Sequence, residues 1–173
     1  RGNVQLADST QYIEADSMFT NRATEDYKLF GNVYLQDDEN RSRITGNYVE
    51  ADSTGRRLID GNSVLMRVSA DLSDTTWLWS DKINITKIDT FYITDAQGDV
   101  QLWESEYASR SDSSRYDEQQ ELIELRTNPV VWYKDIELNG DEIDIQLRND
   151  TLQTLTAIGN PFAAQRDSLT ARL

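Results

Sequence analysis

The chain has 173 residues, enough for one domain of ordinary size, and carries 31 acidic against 17 basic residues for a net charge of −14. That balance excludes a nucleic-acid binder, which needs clustered Lys and Arg against phosphates, and the absence of Cys excludes a disulfide framework and thiolate chemistry. With no His either, the usual general base near neutral pH and the commonest metal ligand are both missing.

Taken in chain order, the sequence is organised by two recurring boxes. The first appears at once as Gly2-Asn3-Val4-Gln5-Leu6, so no targeting segment is read into these residues. The second follows as Tyr12-Ile13-Glu14-Ala15-Asp16-Ser17. Gly31-Asn32-Val33-Tyr34-Leu35 repeats the first box, and Tyr48-Val49-Glu50-Ala51-Asp52-Ser53 repeats the second at five of six positions. Gly61-Asn62-Ser63-Val64-Leu65 is a looser first box, and Leu78-Trp79-Ser80-Asp81-Lys82-Ile83 is a weak echo of the second. Gly98-Asp99-Val100-Gln101-Leu102 comes next. Two late copies carry proline, Asn128-Pro129-Val130-Val131-Trp132 and Gly159-Asn160-Pro161-Phe162, with the echo Leu138-Asn139-Gly140-Asp141-Glu142-Ile143 between them.

The first four copies of the Gly box are 29, 30 and 37 residues apart, a period near 30 with slips. The longest gap contains Ser69 to Thr76, a polar stretch that reads as an inserted loop. Within the boxes apolar residues alternate with polar ones, which predicts half-buried strands. The inward set is predicted as Val33, Leu35, Val49, Val64, Met66, Ile83, Ile85, Phe91, Ile93, Val100, Leu102, Ile143 and Ile145. The Gly-Asn pairs, together with Ser53-Thr54-Gly55, Asn139-Gly140 and Asn149-Asp150, are predicted as the turns that bound short strands. Tyr116 to Leu125 contains good helix formers, but its place before an Asn-Pro-Val copy predicts a strand. The longest apolar run, Pro129 to Tyr133, falls far short of the roughly 20 residues that span a bilayer.

Repeats of this kind cannot bury an apolar face alone. Stacked, they form two facing sheets with one long interior and unpaired backbone at both ends. Residues 1–173 thus read as a single all-β repetitive domain, whether whole or an excerpt of a longer chain.

The Gly-Asn-Val-x-Leu box joined to a hydrophobic-x-Ala-Asp box resembles the OstA/LptA family of lipopolysaccharide transport proteins. Gly31 to Leu35 with Val49 to Asp52, and Gly2 to Leu6 with Ile13 to Asp16, carry the resemblance. It implies a periplasmic antiparallel β-jellyroll, open along one side, that holds acyl chains inside. It also implies head-to-tail association through sheet edges. Its partners would be lipopolysaccharide or the lipid A part of it, and other transport components or a second copy by end-to-end strand pairing.

No catalytic residue, metal site or cofactor is expected. Without His or Cys no nucleophile–base triad can form, and no Gly-rich phosphate loop is present. The carboxylate runs Asp37-Asp38-Glu39 and Asp141-Glu142 read as solvated turns rather than as a hydrolytic pair or a calcium loop. Trp77, Trp79, Trp103 and Trp132 suit a ligand groove or sugar stacking as well as cross-strand packing. Two functions therefore stand: a non-enzymatic conduit for lipid, or a structural or adhesive β-repeat protein without a lipid ligand.

Overall fold

The computed structural model describes residues 3–21, 23–69, 72 and 74–165. They form an antiparallel sheet of fifteen strands, with no helix among the described residues. The strands are β1 (Val4–Ala7), β2 (Gln11–Ala15), β3 (Ser17–Asn21), β4 (Asp26–Asp37), β5 (Ser42–Ala51), β6 (Arg57–Val68), β7 (Thr75–Ile88) and β8 (Phe91–Trp103). They continue as β9 (Tyr107–Asp117), β10 (Leu122–Arg126), β11 (Val130–Tyr133), β12 (Ile136–Asn139), β13 (Glu142–Arg148), β14 (Thr151–Ile158) and β15 (Phe162–Gln165).

The long strands do not stop at the Gly-Asn pairs. β4, β6 and β8 run through them, and the ladder register shifts there, between Phe30 and Val33, Asp60 and Ser63, and Gln97 and Val100. Both residues of each pair are left-handed: Gly31 and Asn32 at φ 70° and 46°, Gly61 and Asn62 at 76° and 53°, Gly98 and Asp99 at 79° and 42°. Gly adopts this region freely and Asn and Asp tolerate it. Two such residues in succession turn the strand out of one layer and into the other. Thr127-Asn128 and Gly159-Asn160 do the same between β10 and β11 and between β14 and β15. The expectation that these pairs are hairpin turns is therefore corrected: they are bulged corners inside the sheet. The hairpin turns lie elsewhere, at Ser53-Thr54-Gly55 and Asn149-Asp150 among others.

Folded at its corners, the sheet becomes two facing layers. One layer runs β1, β2, then the halves of β4 to β9 that contain Val33, Ile44, Leu65, Leu78, Leu102 and Ser109, then β11, β12 and β15. The other runs β3, the remaining halves of β4 to β9, then β10, β13 and β14. Apolar side chains of both layers meet in one core that includes Leu29, Leu35, Ile44, Ile59, Ile83, Leu125, Ile143 and Ile145. This is the expected β-jellyroll of two facing sheets, joined along one side by its corners.

The second box also changes meaning. Asp16 sits at the corner: its N–H donates to the Gly31 carbonyl at 2.9 Å, and Asn32 Nδ2 donates to its carboxylate at 3.1 Å. Asp141 repeats this, with its N–H on the Gly159 carbonyl at 2.8 Å and Asn160 Nδ2 on its carboxylate at 3.1 Å. Asp52 instead accepts the N–H groups of Thr54 and Arg56 in a hairpin turn. The two copies most alike in sequence are thus not structurally equivalent. The weak echoes Leu78 to Ile83 and Leu138 to Ile143 hold the corner positions, at Asp81 and Asp141, since a Cβ on Gly98 would strike Asp81 and one on Gly159 would strike Asp141. The stretch Tyr116 to Leu125 spans the end of β9, a four-residue turn and the start of β10. Of the inserted loop, residues 70, 71 and 73 lie outside the described residues, as do Gly2 and residues 166–173.

Candidate functional site

Counting from each corner gives the inward positions. The residues two and four after the first left-handed residue face the core: Val33 and Leu35, Ser63 and Leu65, Val100 and Leu102. Val131 holds the same place after Thr127 and is fully buried. Nine residues of the predicted inward set join the core: Val33, Leu35, Val49, Ile83, Ile85, Val100, Leu102, Ile143 and Ile145.

Four do not, and each is a parity error. Val64 is half-buried on the outer face, because Ser63 and Leu65 occupy the inward positions. Met66 is buried, but outside the core cluster; it shares the outer face with its cross-strand neighbours Arg43 and Trp77. Phe91 is exposed and Ile93 half-buried, while Tyr92, Thr94 and Ala96 turn inward. The register sets this parity, since Ala96 lies opposite Ile83 and Thr94 opposite Ile85. Leu29, Ile44, Ile59 and Leu125, all buried in the core, were not in the predicted set.

Opposite the corners lies the open side, where hairpin turns of the two layers face each other. Among the described residues no backbone hydrogen bond joins the layers here; the bonds outside the ladders stay within a layer or sit at the corners. Side chains close the gap instead. Asp37, at the end of β4 in one layer, meets Arg57, at the start of β6 in the other, at 3.3 Å. Asp37 is fully buried and also accepts the Asn40 N–H at 2.9 Å and the Asn40 side chain at 2.8 Å. Its expected place in a solvated turn is corrected: only Asp38 and Glu39 are exposed, and Asp141 with Glu142 belongs to a corner and a strand rather than a free turn. Burial pushes the Asp37 carboxyl up, but the Asn40 and Arg57 bonds outweigh it and hold it below the usual carboxylate range.

Arg67 makes a second crossing, its guanidinium carbon 5.9 Å from the centre of the Tyr92 ring in the opposite layer. The Lys87 ammonium lies at the same distance from that ring. Tyr27, Tyr92, Tyr116 and Tyr133 flank the core along this side. Burial, with Asp150 and Glu118 nearby, raises the Tyr116 hydroxyl to about 12. Burial likewise raises the Glu104 carboxyl, against the pull of a 2.7 Å bond from the Thr76 hydroxyl. The interior is therefore mainly aliphatic, with a run of buried serines on β9, and its open rim is lined with tyrosines and charged groups. The cross-section is thus amphipathic, apolar within and polar along its open rim. Among the described residues no cluster of three or more acidic side chains is placed to hold a metal ion.

No known protein-family model matches the chain, and no curated protein matches it. Among solved structures it is similar to the crystal structure of LptH, the LptA-homologous periplasmic component of the lipopolysaccharide transport device from Pseudomonas aeruginosa. The similarity covers 91% of this chain and 95% of that one, at 12% identity and a TM-score of 0.37. With so distant a likeness, the chain's own residues have to carry a functional reading.

Proposed function

We propose that the chain is a non-enzymatic lipid carrier of the periplasm, holding acyl chains of lipopolysaccharide or a related lipid between its two layers. One observation carries this reading: among the described residues the apolar interior is closed on its open side by side chains alone, Asp37 to Arg57 and Arg67 to Tyr92. The layers can part there without breaking a ladder bond. Each methylene that enters the interior contributes about 0.8 kcal/mol. The ends suit transfer between neighbours. Among the described residues β1 and β3 each pair with one strand, as do β14 and β15, so each end presents strand edges suited to strand addition. The rival reading, a structural repeat, draws on how completely Leu35, Ile44 and Ile83 are already packed away from solvent.

Locking the open side distinguishes them. The natural chain has no Cys, so Asp37→Cys with Arg57→Cys gives a unique pair to bridge with a short bis-maleimide. Parinaric acid fluorescence is expected to rise on binding to the unbridged variant and to fall at least tenfold in apparent affinity after bridging. Failure of the wild-type protein to bind parinaric acid, or equal binding before and after bridging, would favour the structural repeat. Mass spectrometry of lipid co-purified from a lipopolysaccharide-producing host identifies the natural guest.

A further inference from the structure

All four tryptophans of the chain lie in one layer, away from the interior, and three of them wall a surface cleft of about 300 Å³. The cleft is built by register. Trp103 of β8 stands opposite Ala108 of β9, and Ala108 stands opposite Trp132 of β11. The backbones that carry the two indoles are thus two strand spacings apart, about 9.6 Å, with the Ala108 methyl group on the strand between them. Trp79 of β7 adds a third wall and stacks on Trp77 at 5.7 Å, with the rings inclined by 9°. Trp79, Trp103 and Trp132 are 37%, 47% and 37% exposed, although a Trp side chain in a sheet ordinarily gains by being covered.

The cleft has a polar edge. Asp99, at the β8 corner, accepts Arg110 Nε at 3.1 Å and Nη2 at 2.8 Å, and Gln101 Nε2 at 3.3 Å. On the other flank Glu137 accepts the Trp132 indole N–H at 3.0 Å, which fixes the orientation of that ring. The Arg110 charge is matched by Asp99 and the Glu137 carboxylate stands on the far flank, so the cleft edge offers both hydrogen-bond donors and acceptors. The comparable surface cleft of the opposite layer, lined by Arg56, Lys82, Asn84 and Asp95, has no aromatic wall.

From this geometry we infer a saccharide-binding site on the outer face, with one neutral pyranose ring seated over Ala108 between Trp103 and Trp132. A pyranose has C–H groups on both faces and hydroxyls around its edge. The indole faces match the first, and the Asp99, Gln101 and Arg110 groups match the second. A cationic guest would meet the Arg110 charge beside the Glu137 carboxylate, since only Asp99 of the two acids is held in an ion pair there. A protein partner would need a wider apolar surface than this single slot. The site is separate from the acyl interior and does not depend on it.

Because every tryptophan is on this face, indole emission reads the site directly. Titration with maltotriose, cellotriose, laminaritriose, mannotriose and triacetylchitotriose is expected to give saturable quenching or a blue shift with at least one of them. Ala108→Leu keeps all four indoles and fills the slot; it is expected to weaken that binding at least tenfold while leaving the thermal midpoint and parinaric acid binding unchanged. Gln101→Ala, at an exposed position, is expected to weaken it severalfold, and calorimetry on Trp132→Ala should show a loss of tenfold or more. No response to any of the five sugars would overturn the inference, and so would undiminished binding by folded Ala108→Leu.

Discussion

At Gly31 the backbone sits at φ 70°, and a methyl group added there would run into the Asp16 carboxylate. Gly31→Ala is expected to lose about 2–3 kcal/mol, the sum of a left-handed penalty and a steric one. Asp16→Ala removes the obstacle along with the corner bonds, so the double variant should be less destabilised than the sum of the singles. Urea unfolding of the four proteins measures that coupling. Asp37 gives a pH signature. Its folded carboxyl is held below the ordinary value of 3.8, so its contribution is full above that value and is lost as the pH falls through the folded pKa. Asp37→Asn should therefore be about 2 kcal/mol less stable than wild type at pH 7, with Arg57 left short of its partner. The gap should narrow once the pH drops below 3.8, which urea midpoints from pH 7 to pH 2 will follow.

Among the strands, β9 departs furthest from an apolar inward column. Between Tyr107 and Tyr116 its buried positions are Ser109, Ser111 and Ser114. Ser111 is satisfied by the Ser113 carbonyl at 2.9 Å, but the Ser109 hydroxyl and that of Thr94 on β8 have no hydrogen-bond partner among the described residues. A buried hydroxyl without a bond costs about 1–3 kcal/mol, so Thr94→Val and Ser109→Ala are each expected to raise stability by about 1 kcal/mol. Thermal unfolding checks both, and a loss of stability in either would mean that the hydroxyl has a partner in solution. The edge strands show the opposite departure, with apolar side chains turned to solvent: Leu6 on β1, Phe19 on β3, Ile158 on β14 and Phe162 on β15. Native edges are usually blunted by charge or proline; β1, β3 and β14 carry neither, and only β15 is preceded by one, Pro161.

For the whole molecule, strand edges left unpaired at both ends among the described residues and a net charge of −14 act against each other. The edges favour end-to-end association, and the charge opposes it until salt screens it over about 10 Å at 0.1 M. Light scattering is expected to show a mass that grows with protein concentration, and more steeply at 0.5 M than at 0.02 M salt. Leu6→Lys and Phe162→Lys, one at each end, should suppress that growth without changing the fold. A monomer at every concentration and salt would count against strand addition at the ends.

Much of this was legible in the residues themselves. The all-β class follows from period-two alternation, and the stacked, two-layered build follows from a box that recurs about every 30 residues. Val33, Leu35, Val100 and Leu102 were found because there the box and the core share a parity. Composition alone removed histidine and cysteine chemistry. Tertiary structure decided what the Gly-Asn pair does. A hairpin turn and a sheet corner both need left-handed residues, so the local sequence is the same, and only pairing across the pair by neighbouring strands makes it a corner. The same ambiguity misplaces Val64, Met66, Phe91 and Ile93, because a one-residue shift exchanges the two faces of a strand and the long-range register fixes the choice. The contact of Asp37 with Arg57, twenty residues away, and the Trp103-Ala108-Trp132 slot are likewise products of register, brought together only when the sheet folds on its corners.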